Sequence, residues 1–358
     1  MTQLLPCYRL GPVSWADSQA LYHAQAHLGR PALNILWPTE PYVCIGRFQD
    51  LALEVDVERC RERGLPLVRR EVGGGAVYLD AGQVFYQLVL PDRVEGRDYR
   101  SLFSLGLGGV AAALRRLGVS AVVRGTNDVA VGGRKISGNG AGTVGGAAVV
   151  VGNILLNFDY QAMAAVLRVP DEKFRDKAYQ SMRENLVSLV ELLRSASHAR
   201  VAEEMVRALS ANLAPDYRVE VQDSLPDDVL AALPGTATRL TDEQWLRSVE
   251  RRRESRQVRI CEGVTLFENR WKAPGGLLRA HGGLADGVVQ WLSLSGDFFV
   301  DPPDALEGLE AALTGAPLDR LRAEAERFLE QPGVTVPGVT AEDVERVVLG
   351  RPSNTVAL

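Results

Sequence analysis

Two spacings of hydrophobic residues, one typical of helices and one typical of strands, alternate along the chain. In 99–117 apolar side chains recur at helical spacing, with Gly106 and Gly109 allowing a neighbour to approach closely. In 83–90 apolar and polar residues alternate, as they do in a half-buried strand. A two-glycine connection at 132–133 predicts a hairpin, because two glycines readily form a primed turn.

The remaining elements complete an α+β pattern with two domains. Further strands are predicted at 41–46, 67–70, 76–78, 119–124, 128–131, 134–137 and 149–157, and further helices at 18–28, 57–63, 171–193, 201–213, 304–313, 318–329 and 341–349. We place a large domain at 1–250, a linker at 251–258 and a small α+β domain at 259–350. The densely charged stretch 247–257 is interpreted as a solvated helix end that runs into the linker.

The composition is that of an ordinary globular protein of 358 residues, 46% of them hydrophobic and 24% charged. The formal net charge is −5, from 40 Lys+Arg and 45 Asp+Glu, and this acidic balance argues against nonspecific nucleic-acid binding. The chain opens without the pattern of a signal peptide, and its most apolar run, 147–156, is too short to span a bilayer. We therefore expect a cytoplasmic protein that binds neither nucleic acid nor membranes.

Cysteines and histidines suggest little chemistry. The four cysteines are dispersed and none forms a CxxC pair, which argues against a disulfide scaffold and against a zinc or redox site. Cys44 lies in an apolar strand, and we interpret it as a small core residue. His23 and His27 are four residues apart without a third metal ligand, so we interpret the pair as part of a helix surface.

Glycine is concentrated in one part of the chain, where it marks the first candidate site. Of the 35 glycines, 19 fall in 64–152, so backbone must come close to another group there. Gly73, Gly74 and Gly75 form a triplet whose N–H groups can approach a phosphate, a carboxylate or a flat ring, and Arg70 supplies positive charge just before it. The spacing matches neither a Rossmann site nor a P-loop, and a flexible turn with surface arginines is the structural alternative.

A second candidate site surrounds the predicted hairpin. Lys135 follows the tight turn, and as a point charge with three donors it suits a carboxylate or phosphoryl group that gains charge during a reaction. Asn127 and Asp128 can orient a ligand or hold Mg²⁺ through oxygen atoms, although turn chemistry alone would explain Asp128. The glycine-rich segment 138–146 is predicted to be a loop and a candidate lid.

Taken together, the two sites resemble those of a known family. The run RRxxGGGAVYxD at 69–80, followed by TNDVxxxxRKISG at 126–138, resembles the lipoate–protein ligase A family of the biotin/lipoyl ligase and octanoyltransferase superfamily. The resemblance is strongest over 42–160, and 259–350 is similar to the accessory domain of the longer single-chain ligases. It implies an α+β fold, in which a large domain with a mixed sheet and flanking helices precedes a small α+β accessory domain.

The resemblance also implies an ATP-dependent activity. In that family ATP and lipoate give lipoyl-AMP and pyrophosphate, and a lysine of a carrier domain then displaces AMP. By resemblance, Lys135 is the catalytic residue that touches the acyl carbonyl and the α-phosphate, and Asp128 is a ligand of Mg²⁺. The residues that the resemblance assigns to substrate and nucleotide binding are Arg70, Gly73, Gly74, Gly75, Ala76, Val77, Tyr78, Asn127, Asp128, Ser137 and Gly138.

The implied partner is a lipoyl carrier domain, such as the E2 component of a 2-oxoacid dehydrogenase or the glycine cleavage H protein, and the implied ligase is a cytoplasmic monomer. Val72, Leu79 and Val151 stand where many members carry serine or histidine, so the acyl preference stays open. One alternative is an ATP-independent octanoyl or lipoyl acyltransferase, against which the lack of a cysteine in 138–156 argues. Another is a noncatalytic lipoate- or nucleotide-binding module, against which the charged residues of the hairpin argue.

Overall fold

The computed structural model describes residues 3–91, 99–169, 174–257 and 264–350. Its strands are β1 (Gln3–Val13), β2 (Ala32–Pro38), β3 (Tyr42–Ile45), β4 (Leu67–Arg69), β5 (Val77–Leu79), β6 (Gln83–Leu90), β7 (Val122–Arg124), β8 (Asp128–Val131), β9 (Arg134–Val144), β10 (Ala147–Leu155), β11 (Tyr217–Gln222), β12 (Thr265–Ala273), β13 (Gly276–Ala285) and β14 (Val288–Gly296). Its helices are α1 (Trp15–His27), α2 (Leu51–Glu54), α3 (Val57–Glu62), α4 (Tyr99–Arg116), α5 (Tyr160–Val166), α6 (Arg175–Asn185), α7 (Leu189–Leu192), α8 (His198–Leu213), α9 (Asp227–Thr241), α10 (Glu243–Leu246), α11 (Ser248–Gln257), α12 (Ala305–Leu313), α13 (Leu321–Leu329) and α14 (Ala341–Leu349). The α+β prediction is confirmed.

The first of two compact units comprises Met1–Cys44, Val55–Val72 and Val77–Asp242. Its large mixed sheet has eight strands in the order β11-β1-β2-β6-β10-β9-β8-β7. Strand β1 pairs in parallel with β2 and β11, whereas the pairs from β2 through β7 are antiparallel. All eight residues of β6 are buried, which is typical of a central strand covered on both faces.

Helices α4 and α8 pack closely against each other in this unit. Gly109 makes the approach possible, because a Cβ there would lie 2.5 Å from Leu209 Cδ2 and 3.0 Å from Leu209 Cα. Gly106 leaves room for Tyr86, whose hydroxyl oxygen would be 2.1 Å from such a Cβ. The predicted helix at 99–117, with two glycines for close approach, is confirmed.

The glycine-rich segment 138–146 is a strand and a tight turn, so the prediction of a loop and lid was wrong. Strand β9 continues through most of it and pairs with β10. The turn is confined to Gly145 and Gly146, whose φ angles are 55° and 88°. Glycine inside a paired strand marks a place where another group comes close, which explains the composition without a loop. The earlier turn, at Gly132 and Gly133, has φ angles of 56° and 80° and confirms the predicted hairpin.

The helix predicted at 171–193 is divided, and its first three residues lie outside the described part of the chain. Helix α6 ends before Leu186, whose ψ of 155° is extended. The next N–H, that of Val187, donates to Lys135 O at 2.9 Å. A helix through these residues could not make this bond, because its N–H groups would be used within the helix. The interruption therefore places a short extended segment beside β9.

The second compact unit comprises Ile45–Glu54, Gly73–Ala76 and Glu243–Leu358. Its antiparallel sheet, β12-β13-β14, packs with α12, α13 and α14 around an apolar core. Phe48 joins this core and stacks on Phe298, with 5.8 Å between the ring centroids. Two short excursions of the N-terminal part of the chain therefore belong to the C-terminal unit.

The charged stretch 247–257 is helical, but its interpretation as a solvated helix end was wrong for two of its arginines. Arg253 Nε lies 3.0 Å from Oδ2 of Asp50, a residue that is 1% exposed. Arg252 Nη2 lies 3.4 Å from Oε1 of Glu310, which is fully buried. Buried carboxylates need positive partners, and helix α11 supplies two of them inside this unit.

Candidate functional site

Lys135 and Asp128 face each other across the β8–β9 hairpin of the first unit. Lys135 Nζ lies 2.7 Å from Asp128 Oδ1, and Arg124 Nη2 lies 3.5 Å from Asp128 Oδ2. Arg124 also donates to Gly133 O, which ties it to the hairpin turn. The Lys135 side chain keeps 31% of its surface exposed. The structure therefore brings together a half-exposed ammonium group and a carboxylate that holds it in place.

A β-bulge sets the direction of Lys135. Ala130 pairs with Lys135 and Val129 pairs with Ser137, so that Ile136 has no partner across the β8–β9 ladder. Ile136 and Ser137 are both fully buried, whereas the Lys135 side chain reaches solvent. Without the extra residue, strict alternation would expose one of these two residues. The bulge thus directs Lys135 outwards while its neighbours stay in the core.

Gly138 provides the space in which the Lys135 side chain lies. A Cβ at Gly138 would be 2.9 Å from Lys135 Cε and 3.0 Å from Nζ. The Gly138 N–H donates to Asn153 Oδ1 at 3.0 Å. The predicted site residues Lys135 and Gly138 are therefore in contact, and the backbone at Gly138 is fixed from the neighbouring strand β10.

Side-chain amides connect this hairpin to strand β5, which carries another predicted site residue. Asn153 Nδ2 donates to Gln83 Oε1 at 2.6 Å, and Gln83 Nε2 donates to Tyr78 O at 3.0 Å. With the Gly138 bond, these contacts form a relay of two amides between Gly138 and Tyr78. The backbone at Gly138 and the backbone at Tyr78 are thereby joined through two side chains.

A second amide cluster holds the start of the motif around Asn127. The Asn139 N–H and its Nδ2 both donate to Asn127 O, at 3.0 and 2.9 Å, and Asn127 Nδ2 donates back to Asn139 O at 3.1 Å. Asn139 Nδ2 also lies 3.2 Å from Ser137 Oγ, and Tyr86 Oη donates to Asn139 Oδ1 at 2.8 Å. Gly152 makes room, since a Cβ there would lie 2.0 Å from Asn139 Oδ1. The predicted residues Asn127 and Ser137 are therefore held by Asn139.

Arg70 lies in the first unit beside Cys44. Arg70 Nη1 is 3.5 Å from Cys44 O and 3.6 Å from Cys44 Sγ. Cys44 is fully buried, which confirms its interpretation as a core residue. Tyr22 and Tyr42 lie close enough for Arg70 to influence their pKa values, although burial is the larger effect and raises both. Arg70 thus carries a fixed charge at the edge of a buried aromatic cluster.

The glycine triplet belongs to the second unit, where it packs against the segment after β14. A Cβ at Gly73 would lie 2.5 Å from Phe298 O, and the Gly74 N–H donates to the same oxygen at 3.3 Å. A Cβ at Gly75 would be 3.7 Å from Asp297 Cβ. The absence of a side chain at Gly73 is therefore required by a protein contact, whatever else binds there.

The next three predicted residues span the end of this excursion. Ala76 is half-buried and lies in the second unit, whereas Val77 and Tyr78 lie in β5 of the first unit. The Tyr78 N–H points at Met163 Sδ, 3.2 Å away. Burial, with smaller contributions from Asp80 and Asp159, raises the pKa of Tyr78 to about 12. The phenol therefore stays protonated at neutral pH.

A metal site is not preformed in the described part of the chain, which contains no cluster of three or more His, Cys, Asp or Glu residues able to hold an ion. Asp128, the predicted Mg²⁺ ligand, offers one carboxylate that already contacts Lys135 and Arg124. Mg²⁺ commonly binds through one or two carboxylates together with substrate phosphates. The donor set therefore fits an ion that arrives with a nucleotide better than a resident ion.

Gln83, Asn139 and Asn153 are the contacts that sequence reasoning missed. Gln83 and Asn153 lie in the largely apolar strands β6 and β10, and Asn139 lies in the glycine-rich strand β9. Gln83 and Asn139 are buried. The available signal was Asn153, which interrupts the apolar run before 157. A buried amide needs partners, so such an interruption indicates a polar network even when the partners are distant in sequence.

Comparison with known proteins places the chain in a family. A sequence model described as the lipoyl protein ligase A/B catalytic domain matches residues 12–210, more than half of the chain. The chain belongs to this lipoyl protein ligase family. The lipoate-protein ligase A subunit 1 of Thermoplasma acidophilum is 32% identical over 216 residues, which are 58% of this chain and 81% of the relative. The lipoate–protein ligase of Streptococcus pyogenes is 34% identical over 164 residues, 45% of this chain, and the match spans only 47% of that ligase.

Solved structures of lipoyl ligases show the same fold. A bi-partite lipoate protein ligase of T. acidophilum, described with its E2 lipoyl domain, is 27% identical, with a TM-score of 0.59 over 68% of this chain and 96% of that one. A lipoate-protein ligase A bound with ATP has a TM-score of 0.57 over 68% of this chain and 99% of that one, at 24% identity. P. falciparum LipL1 in complex with lipoate has a TM-score of 0.65 over 92% of this chain and 95% of that one, at 16% identity. The last likeness extends into the C-terminal sheet and helices and confirms the predicted accessory fold.

Val72, Leu79 and Val151, the apolar residues at which the resemblance predicts serine or histidine, all lie in the first unit. Val72 is fully buried. Leu79 is 7% exposed and packs in a core cluster with Val229 and Leu240 of helix α9. Val151 is half-buried in β10. No helix among the described residues is both long and apolar enough to cross a membrane.

Proposed function

We propose that the chain catalyses the ATP-dependent attachment of lipoate to a lysine of a lipoyl carrier domain. The observation that carries the proposal is the placement of Lys135. Its ammonium group is held 2.7 Å from Asp128 on a rigid hairpin and lies over Gly138 with no side chain between them. A cation beside a glycine, where no side chain keeps a ligand away, can stabilise charge that develops on a phosphoryl or acyl oxygen.

The first step forms the acyl-adenylate. A carboxylate oxygen of lipoate bonds to the α-phosphorus of ATP, and the bond from that phosphorus to the oxygen bridging to the β-phosphate breaks, which releases pyrophosphate. Lys135 moves from Asp128 to the α-phosphoryl oxygens and neutralises their charge as the bond forms. Asp128 keeps the ammonium group oriented until the nucleotide binds.

The second step transfers the acyl group. The uncharged amine of the carrier lysine bonds to the acyl carbonyl carbon, the bond from that carbon to the AMP oxygen breaks, and the nitrogen loses a proton to solvent. The carbonyl oxygen carries negative charge in the intermediate. Lys135 is within reach of this oxygen if it contacts the adjoining phosphate, so one residue serves both steps.

The remaining predicted residues complete the proposed site. We assign Arg70, Gly73, Gly74 and Gly75 to the acyl and nucleotide loop, with Ala76, Val77 and Tyr78 beside the adenine, and Asn127, Asp128, Ser137 and Gly138 to the nucleotide. Asp128 would be the protein ligand of a Mg²⁺ ion that accompanies ATP, and the ion would neutralise part of the phosphate charge. The amide relay through Gln83 and Asn153 supports these assignments because it links two of the predicted segments.

The proposal includes the partner and the organisation of the chain. A T. acidophilum relative is described with its E2 lipoyl domain, which supports a lipoyl carrier domain as the acceptor here. We propose E2 components and glycine cleavage H proteins as the carriers, and a cytoplasmic monomer as the active form. The domain limits 1–250, 251–258 and 259–350 stay a prediction.

A mass-shift assay tests the proposed function. Purified protein is incubated with an apo carrier domain, lipoate, ATP and Mg²⁺, and the carrier mass is measured. We expect an increase equal to one lipoyl group that requires ATP, with pyrophosphate released. Lys135→Ala should lower adenylate formation by about 100-fold or more, the effect typical of removing a group that stabilises transition-state charge.

Lys177→Ala is the matched control, because Lys177 lies on α6 with its ammonium over the ring of Phe174, 5.2 Å from the centroid. This variant should turn over at the wild-type rate. Transfer from an acylated carrier without ATP would favour the acyltransferase alternative. Tight lipoate binding with no product under any nucleotide would favour a binding module instead.

A further inference from the structure

The carboxylate of Glu71 is held by residues from two helices of the first unit. Arg239 of α9 donates from Nη1 to Oε1 at 2.7 Å and from Nη2 to Oε2 at 3.4 Å. His27 Nε2 of α1 lies 2.9 Å from Oε2. The Glu71 side chain is only 12% exposed. A carboxylate with a bidentate arginine and an imidazole around it has little freedom to rotate.

The backbone of the same residue is held by His23. His23 is fully buried and its Nδ1 lies 2.7 Å from Gln19 O. A carbonyl oxygen only accepts, so Nδ1 carries the proton and Nε2 is the acceptor for the Glu71 N–H, 3.1 Å away. Burial lowers the pKa of His23 to about 4, so this neutral form persists at neutral pH. The interpretation of His23 and His27 as a helix surface was therefore wrong for His23.

The Glu71 carboxyl group is also ionised at neutral pH. Burial acts to raise its pKa, but the charge and hydrogen bonds of Arg239 and the hydrogen bond from His27 oppose burial, and the pKa falls to about 2. Attraction by His23 contributes only below about pH 4, where that imidazole becomes protonated. The turn between β9 and β10 contributes to the arrangement, because a Cβ at Gly145 would lie 2.7 Å from His27 Cα. Helices α1 and α9 therefore meet at Glu71, a residue that the family motif leaves unspecified, and the β9–β10 turn packs against His27.

We propose that Glu71 is a positioning residue that fixes Arg70 for binding the carboxylate end of the acid substrate. With its side chain and its N–H both anchored, Glu71 prevents rotation of the peptide that joins it to Arg70. The Arg70 guanidinium is thereby held beside Cys44 O and Sγ, at 3.5 and 3.6 Å. This inference rests on the proposed function, which makes Arg70 a contact of the anionic substrate. Preorganised charge binds an anion more tightly than a mobile side chain does.

The test compares variants of the anchor with a variant of a similar ion pair elsewhere. Glu71→Ala and Arg239→Ala remove the side-chain anchor, and Glu71→Gln keeps the length of the side chain but loses its charge; all three retain the backbone N–H bond to His23. Asp228→Asn is the matched control, because Arg30 donates to Asp228 Oδ2 at 2.7 Å and thus joins the other end of α9 to the chain after α1. The readouts are the Kd for lipoate, the KM and kcat of adenylation, and hydrogen exchange of a peptide covering 67–72.

We expect Glu71→Ala and Arg239→Ala each to weaken lipoate binding about tenfold, with kcat at saturating lipoate within about threefold of wild type, because an anion contact made equally in the ground state and the transition state affects KM and not kcat. The double variant should be no worse than either single variant, because both remove one anchor. Glu71→Gln should fall between wild type and Glu71→Ala. Exchange in 67–72 should accelerate in the anchor variants and not in Asp228→Asn.

Unchanged lipoate affinity in Glu71→Ala and Glu71→Gln would overturn the proposal, as would an equal loss of affinity in Asp228→Asn. A wild-type protein that binds lipoate without adenylating it would contradict the proposed function, while the Kd comparison would still decide the role of Glu71. A wild-type protein that binds no lipoate would overturn both.

Discussion

At the scale of single residues, Gly138 offers the sharpest test of the arrangement around Lys135. In Gly138→Ala the new Cβ meets Lys135 Cε at 2.9 Å and Nζ at 3.0 Å, so the side chain has to leave its place beside Asp128. The clash involves only the end of a flexible side chain, so the free energy of unfolding should change by less than about 1 kcal/mol. Adenylate formation should fall at least about tenfold, as expected when a charge that stabilises the transition state is displaced. Pyrophosphate exchange and urea unfolding measure the two effects.

If Gly138→Ala lowered both the free energy of unfolding and the rate of adenylate formation, the cause would be damage to strand β9 and not displacement of Lys135. Asp128→Asn releases the ammonium group without adding bulk at Gly138, but it also removes the proposed ligand of Mg²⁺, so it should raise the KM for ATP as well. If displacement of Lys135 is the cause, both variants should lower kcat, and Gly138→Ala should do so with little change in the KM for ATP. Wild-type kcat in Gly138→Ala would show that Lys135 has room to act from another position.

Some residues of the site could be predicted from the local sequence, and others could not. Lys135 and Asp128 were predicted because a lysine and an acid flank a recognisable two-glycine turn, and the structure brings them to 2.7 Å. Gln83 and Asn153 were not predicted, although their amides touch at 2.6 Å, because they are 70 positions apart and neither lies in a motif. Pairing across β6 and β10 creates that contact, and only the register of the sheet specifies it.

At the scale of elements, the contact between α4 and α8 depends on one small residue. In Gly109→Ala the Cβ would lie 2.5 Å from Leu209 Cδ2 and 3.0 Å from Leu209 Cα, so the helices must separate or Leu209 must repack. Alanine in a helix gains about 1 kcal/mol over glycine, whereas overpacking costs about 1 to 3 kcal/mol. The net change should be a loss of up to about 2 kcal/mol in the free energy of unfolding, measured by urea titration.

Two further variants identify the cause of that loss. Gly235→Ala lies in α9 with no atom within 4 Å of the added Cβ, so it should gain roughly 0.5–1 kcal/mol. Gly109→Ala combined with Leu209→Ala should be less destabilised than the sum of the single variants, because the new methyl group occupies part of the cavity. If the losses in unfolding free energy of the two single variants simply added in the double variant, the clash of Gly109→Ala would not be with Leu209.

Elements whose pattern reflects local chemistry were predicted well, and elements defined by distant partners were not. The strand Gln83–Leu90 and the helix Tyr99–Arg116 follow from the spacing of their apolar residues. The segment 138–146 was mistaken for a loop because its glycines lower strand propensity, although pairing with β10 overrides that preference. Strand β1, with two prolines and a glycine, received no prediction at all, and it is stabilised by its parallel neighbours β2 and β11.

At the scale of the whole molecule, the order of residues in the sequence does not show which segments belong to which unit. Phe48 and Gly73 come early in the sequence, yet Phe48 packs in the core of the C-terminal unit and Gly73 lies against Phe298. A boundary drawn from composition places them in the first domain, because only their tertiary contacts reveal the assignment. Segments with few residues, such as Gly73–Ala76, carry too little pattern of their own to show which core they join.

Each unit contains one buried histidine whose pKa burial lowers, His23 to about 4 in the first and His281 in the second. Their folded pKa values lie below the unfolded value of about 6.5, so the unfolded chain binds more protons between these limits and stability falls as pH falls from 7 towards 4. Neutral His23 alone should account for about 2 to 3 kcal/mol by pH 4.5, a window in which Glu71, with a pKa of about 2, keeps its charge. His23→Gln should flatten the dependence of the unfolding free energy on pH by that amount. Equal slopes in wild type and His23→Gln would mean that His23 has the same pKa in the folded and unfolded chain, which would contradict a buried neutral imidazole that accepts from the Glu71 N–H.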